Sequence, residues 1–240
     1  MNTDSYFIKK QPSSEIFMAT IVESSKSKDE SSKGAPIAIL NRTPKTARGQ
    51  RTRAKILKAA EECFGTLGYH QAGVNDITRV AGVALGSFYS YFEGKEEALR
   101  ELIREMGHNL RLHLARSVAG STDRIEAESR GLRAFLQYVK ENPWMYRVLQ
   151  EALFVDEAIY REYYEEFGKS YGEVLDQATA AGEIRPGNNQ VRNWMLMGMS
   201  HFLGMRFALW QDDLSLDQVT ETLDDFLRHG LTSTSGSESE

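Results

Sequence analysis

The chain has 240 residues, 41% hydrophobic and 26% charged, with a formal net charge of −5 and one cysteine. That is ample apolar material for a core. The overall negative charge excludes a generally cationic protein that coats polyanions. A single cysteine excludes an internal disulfide and a cysteine-built metal cluster, so Cys63 reads as a small buried hydrophobe.

Residues 1–44 come first. SSKSKDESSKG is a low-complexity run that cannot bury enough apolar area to offset chain entropy, so a disordered tail is expected. No pattern of basic start plus long apolar run marks a secretory signal, and a cytoplasmic protein is expected. Charge then divides the chain. Residues 42–95 carry nine Lys or Arg against four acids, and no acid lies between Arg42 and Lys58. Residues 96–240 carry fifteen bases against twenty-five acids. A local basic surface suits phosphate contact, and Arg48 and Arg51 are its candidates.

A helix is expected over about Gln50–Leu67, with Ile56, Ala60, Phe64 and Leu67 as one buried stripe. Residues 74–92, VNDITRVAGVALGSFYSYF, then read as two short helices around a turn. Val74, Ile77 and Val80 give the first an apolar face. Gly82 can adopt φ > 0 and reverse the chain. The second helix, expected over Leu85–Phe92, turns Phe88 and Phe92 inward. Gly86, Ser87 and Ser90 then face outward, with Tyr89 and Tyr91 on the flanks. This helix-turn-helix layout sends its second helix into the DNA major groove. Ser87 and Ser90 can hydrogen-bond a base edge or phosphate, Gly86 permits close backbone approach, and the tyrosine hydroxyls can reach phosphates. Lys95 opens the next helix, poorly placed against the helix dipole unless a phosphate sits beside it.

GTLGYHQAGVNDITRVAGVALGSFYSYFEGKEEAL resembles the DNA-binding domain of the TetR family of transcriptional regulators. The matching pieces are Phe64-Gly65, Leu67-Gly68-Tyr69, Ile77, Ala81-Gly82-Val83, Gly86-Ser87-Phe88-Tyr89, Tyr91-Phe92 and Lys95-Glu96. The sequence departs from the family at Gly73, Ala84 and Leu85. The resemblance implies an all-α fold: a three-helix helix-turn-helix domain over 45–95, then a helical effector and dimerisation domain over 96–230. It also implies that Ser87, Tyr89, Tyr91 and Lys95 contact a double-stranded DNA operator, with repression as the expected sign.

Beyond the first domain, helices are expected over Lys95–Ser117, from Asp123 to about Glu141, from Pro143 through Phe154, and over Asp156–Ala180. Val191–Trp210 is apolar nearly all round, but Arg192, His201 and Arg206 interrupt it. It therefore reads as a core or interface helix rather than a membrane span. Gly198 and Gly204 would allow close helix approach. A last amphipathic helix is expected over Ser215–Arg228, ahead of a disordered tail at 231–240. In TetR-like proteins the last two long helices pair with their copies, so a homodimer through about 191–210 and 215–228 is expected.

The resemblance further implies a pocket for a small effector, with no cofactor and no metal. Aromatic and thioether side chains suit a hydrophobic effector. The candidates are Phe135, Tyr138, Trp144, Phe154 and Tyr163, together with Phe167, Trp194, Met197 and His201. Two rivals stand beside this reading. A filled C-terminal core would favour a DNA-binding protein governed by a protein partner. An enzyme would rest on Gly198-Met199-Ser200-His201-Phe202, but Phe202 replaces the second glycine of a nucleophile elbow and no strand precedes it. The chain is expected not to be an enzyme.

Overall fold

The structure is a computed structural model that describes Pro44 and residues 46–210 and 213–231. The two expected disordered tails lie almost wholly outside these residues. Every regular element among the described residues is helical.

The first domain is α1 (Ala47–Leu67), α2 (Val74–Ala81) and α3 (Leu85–Tyr89). Thr46 caps α1, its hydroxyl accepting the Gly49 N–H at 3.1 Å, which satisfies one of the free donors of the first turn. Ile56, Ala60 and Phe64 are buried along one stripe of α1, joined by Leu57 and Cys63. Leu67 was expected in that stripe but stands exposed. The helix ends there, and Gly68 at φ +84° turns the chain away.

At α2, Gly73 offers no side-chain cap. Asp76 reaches back instead and accepts the Gly73 N–H at 3.1 Å. The Arg79 guanidinium, and then this N–H, hold its carboxyl below the usual range. Gly82 ends α2 at φ +64°, in the left-handed region that the sequence requires of it. Ile77 is fully buried, while Val80 is exposed at the edge of the apolar face. The second helix of the motif is shorter than expected. Regular α structure stops at Tyr89, and Tyr91 and Phe92 N–H both bond back to the Phe88 carbonyl. Phe88 and Phe92 are nonetheless fully buried, with ring centroids 5.4 Å apart.

The second domain comprises α4 (Lys95–Val118), α5 (Arg124–Glu141), α6 (Trp144–Val155), α7 (Glu157–Ala180), α8 (Asn189–Gly204) and α9 (Leu216–Leu231). Asp123, Asp156 and Asn188 cap α5, α7 and α8 with their side chains. One apolar core runs unbroken from Ile56 and Phe88 through Leu99 and Ile103 of α4 to Val148 of α6 and Tyr163 of α7. A second core packs Leu136 of α5, Leu175 of α7 and Leu196 of α8 with Leu223 and Leu227 of α9. The recognition motif is therefore built onto the body by α4 and α6, not tethered to it. None of the helices among the described residues is long and apolar enough to cross a membrane.

The apolar segment expected as one helix over 191–210 changes character midway. It is α-helical to Gly204 and π-helical over Met205–Trp210. Gly204 lies hard against α5 and α6. A Cβ there would fall 2.5 Å from the Tyr146 hydroxyl and 2.9 Å from Phe135. Gly204→Ala is thus expected to lose about 1–3 kcal/mol of stability through overpacking, measured by urea unfolding. An unchanged midpoint would show that the contact yields freely.

Candidate nucleic-acid interface and ligand cavity

The outward face of the helix-turn-helix is bare. Tyr89 is 49% exposed and Leu85 45%. Gly86 is exposed, and a Cβ built on it would meet nothing within 4 Å. Internal packing therefore does not call for a glycine at this position. What remains is its external consequence, room for another backbone to approach. Ser87 is half-buried beside it. Ser90 donates its hydroxyl proton to the Gly86 carbonyl at 2.9 Å, which leaves its oxygen able only to accept.

Tyr91 takes a different place from Tyr89. It is half-buried, and its hydroxyl lies at the first turn of α1, 3.4 Å from where a Cβ of Gly49 would stand. Arg48 and Arg51 are exposed on that same end of α1, whose first turn holds no acid. Two guanidinium groups at the positive end of a 21-residue helix are mutually unfavourable. A phosphate would relieve that cost, and the Tyr91 hydroxyl stands beside it.

Lys95 does not fit the phosphate role expected of it. Its ammonium donates to the carbonyls of Tyr69, His70 and Ala72 at 2.8, 3.2 and 3.2 Å. It also lies 4.5 Å from the centre of the Tyr69 ring. A lysine has three donors, and all three are used. The unfavourable dipole position is answered by protein carbonyls, and Lys95 ties the α1–α2 connection to α4. Lys95→Met is expected to lower stability by about 1.5–3 kcal/mol, the range for hydrogen bonds to a charged group. Thermal unfolding that matches the wild type would contradict this.

In the second domain, α4 to α9 surround a mostly apolar cavity of about 140 Å³, partly open to the surface. Of the expected pocket residues, Phe135, Tyr163, Phe167, Met197 and His201 line it. The other four do not. Tyr138 packs beside His113, with ring centroids 5.2 Å apart. Trp144 lies against Gly65 of α1. Phe154 is 85% exposed, and Trp194 stands half in solvent at the outer side of Tyr164, ring centroids 6.3 Å apart. Each is an aromatic on a helix that reaches the cavity, but on a face turned elsewhere.

The wall also holds polar groups that an apolar search overlooks: Arg111, Arg124, Glu128, Tyr146 and Tyr171. Their i,i+4 charges look in the sequence like an ordinary solvated face. Arg124 and Glu128 are both buried, with Nε and Oε1 2.9 Å apart but misaligned for a hydrogen bond. The Tyr171 hydroxyl donates to the other Glu128 oxygen. Burial first, and then Glu128, push the Tyr171 hydroxyl up. His201 stacks on Tyr146 at 4.7 Å, and burial lowers its imidazole, so it is neutral at pH 7. The Tyr146 hydroxyl donates to the His201 carbonyl at 2.7 Å. Gly198–Phe202 lies wholly inside α8, so the strand-to-helix turn of a nucleophile elbow is not formed there.

Helix α6 joins cavity to DNA-binding domain. Its Met145, Tyr146 and Leu149 face the cavity. Its Arg147 donates to the carbonyls of Gly65 and Thr66 at 2.8 and 3.3 Å, closing the C-terminal end of α1. Glu151 accepts the Tyr69 N–H. A second tie runs from Arg53 of α1 to Glu101 of α4.

These features define a class: a helix-turn-helix protein whose recognition domain shares a core with a cavity-bearing helical body. Within that class, residues 56–102 match the family described as bacterial regulatory proteins, tetR family. The regulator LmrA of Bacillus subtilis is 37% identical over 87 residues, covering 36% of this chain and 44% of LmrA. The activator FasR of Mycolicibacterium smegmatis is 29% identical over 117 residues, covering 49% and 52%. The chain thus matches about half the length of these curated relatives or less. Solved structures share the fold across most of the chain. FadR of Bacillus halodurans superposes with a TM-score of 0.66 at 21% identity, over 73% of this chain and 94% of that one. FadR of Bacillus subtilis, solved in complex with stearoyl-CoA, gives 0.64 at 20% identity, over 72% and 96%.

Proposed function

We propose that the chain is a DNA-binding transcriptional regulator: a homodimeric repressor that sits on an inverted-repeat operator and is released by a small hydrophobic effector. The observation that carries this reading is the bare Gly86–Tyr89 face beside the acid-free, arginine-bearing start of α1. Major-groove contact through Ser87 and Tyr89, with the Ser90 oxygen able to accept from a base amino group and phosphate contact from Arg48, Arg51 and Tyr91, uses each group for what its donors and position allow. The work is done on cytoplasmic DNA, without a membrane partner.

Dimerisation is supported by an apolar stripe that a lone chain leaves uncovered. Val191, Trp194, Met195 and Phe202 follow one face of α8 and are each about half exposed or more. Gly198 lies on the same face with nothing within 4 Å of a built Cβ. Phe226 adds to this from α9. A two-fold pair would set its recognition helices roughly 34–36 Å apart, one turn of duplex.

The cavity supports an effector over a protein partner as the controlling signal. At about 140 Å³ it is the size that admits a single aromatic ring. A longer apolar chain would have to part the walls, and would therefore favour a wider state of the body over this one. An effector shifts an equilibrium only by such a difference in affinity. The walls that move would be α4, which carries Leu110 and Leu114 at the cavity and Lys95 at the recognition domain, and α6 with its hold on α1. The complex of B. subtilis FadR with stearoyl-CoA, on the same fold, supports an effector of acyl type.

Selection of bound fragments from random DNA tests this reading. The expected product is an inverted repeat with half-site centres about 10 base pairs apart. Recovery of no enriched sequence would overturn it.

A further inference from the structure

Among the described residues, Arg111 is the one charged side chain in the cavity wall without an opposite charge bound to it. The described charged groups that line the cavity are Arg111, Arg124 and Glu128. Arg124 and Glu128 face each other at 2.9 Å and are buried together. Arg111 makes no hydrogen bond and no ion pair among the described residues. Its guanidinium lies over the Phe167 ring, 5.3 Å from the centre, and beside Gly107.

The nearest acids do not discharge it. Glu162 spends both its oxygens on Arg104, at 2.9 and 3.0 Å. Burial weighs most against the Arg111 guanidinium charge, and Glu166 offsets part of this through space. His201 across the cavity is neutral, and Tyr146, Tyr163, Tyr164 and Tyr171 are all held protonated by burial. The wall therefore carries one net positive charge around an apolar interior. Desolvating an arginine is costly unless a partner arrives. Its planar fork suits a carboxylate or phosphate.

We infer that the effector is an anionic amphiphile, an apolar chain or ring ending in one anionic oxygen group that docks on Arg111, with the apolar part against Phe135, Met197 and Leu149. This rests on the effector reading above and narrows it: a neutral hydrophobe of the same shape is excluded as the preferred ligand. Arg111 half-emerges from the body, so the anionic end sits toward the opening and the apolar end lies within. A free carboxylate and a phosphate-bearing ester share this chemistry.

The test is calorimetric titration of the full-length protein with decanoate, decan-1-ol and decanoyl-CoA, in the wild type, Arg111→Met and Arg111→Lys. The expected result is at least tenfold tighter binding of decanoate or decanoyl-CoA than of decan-1-ol by the wild type. Arg111→Met should lose that preference while still binding decan-1-ol, which also shows the variant to be folded. Arg111→Lys should keep part of it. Preference for decanoate identifies the carboxylate as the anionic source, and preference for decanoyl-CoA identifies the phosphates. Equal wild-type affinity for acid, ester and alcohol, or an anion preference that survives Arg111→Met, would overturn the assignment and leave the effector cavity standing. Failure of all three probes to bind wild type would overturn both.

Discussion

Tyr89→Ala is expected to bind the selected operator at least about fivefold more weakly than wild type while melting at the same temperature. Tyr89 is already about half in solvent, and its ring forms a T-shaped pair with Phe88 at 5.5 Å. Little packing is lost on truncation, so the melting temperature should hold. A specific contact at a DNA interface is worth about 1–3 kcal/mol, a factor of roughly 5 to 150. The replacement of Arg48 by Ala acts on a different quantity. A phosphate contact carries no sequence information, so affinity should fall on every duplex and the salt slope should drop by about one. Fluorescence anisotropy over a salt series separates the two effects. Wild-type affinity in Tyr89→Ala would remove Tyr89 from the interface, and an unchanged slope in Arg48→Ala would remove Arg48.

The second large effect lies at the seam between the domains, and its sign depends on the partner. In α1 a Cβ on Gly65 would stand 2.6 Å from Trp144 Cγ and 2.7 Å from Cβ and Cδ2 of the same residue. Gly65→Ala in the wild-type background is expected to cost about 1–3 kcal/mol, because the clash includes Trp144 Cβ, which no change of rotamer moves. In a Trp144→Ala background the obstruction is gone. Only helix propensity then remains, and alanine exceeds glycine by about 1 kcal/mol, so the same change should stabilise. Urea unfolding of the four proteins completes the double-mutant cycle. If Gly65→Ala destabilises equally in both backgrounds, Trp144 is not what holds α6 to α1. Arg147 bonds the Gly65 and Thr66 carbonyls from the same helix. Loosening this seam should therefore also blunt release of the operator by ligand.

Much of the first domain was legible because local chemistry decides it. Gly82 at positive φ, the inward Phe88 and Phe92, and the outward Gly86 follow from spacing and from one steric rule. Lys95 was misjudged because its partners, the carbonyls at residues 69, 70 and 72, become neighbours only after the chain has turned twice. A dipole argument sees that a cation needs an anion, but not that a loop can supply the oxygen. The cavity was legible in kind and only partly in detail. Phe135, Tyr163, Phe167, Met197 and His201 line it, while Trp144 and Trp194, on helices that also reach the cavity, do not. Composition reports that aromatics are abundant. Which way each one faces depends on helix rotation, and a helix such as α8 that is apolar all round gives no periodicity from which to read it. Arg111, Arg124 and Glu128 escaped for the opposite reason. Charges at helical spacing normally face solvent, and only the packing of α7 across them puts these inside.

Hydroxyl-radical footprinting on the duplex recovered by selection tests the central claim most directly. The account predicts two protected patches on one face of the DNA, a helical turn apart, both lost in the Tyr89→Ala protein and both restored to free-DNA cleavage when a cavity ligand is added to wild type. Uniform cleavage along the duplex, with wild-type protein in excess and folded, would contradict it.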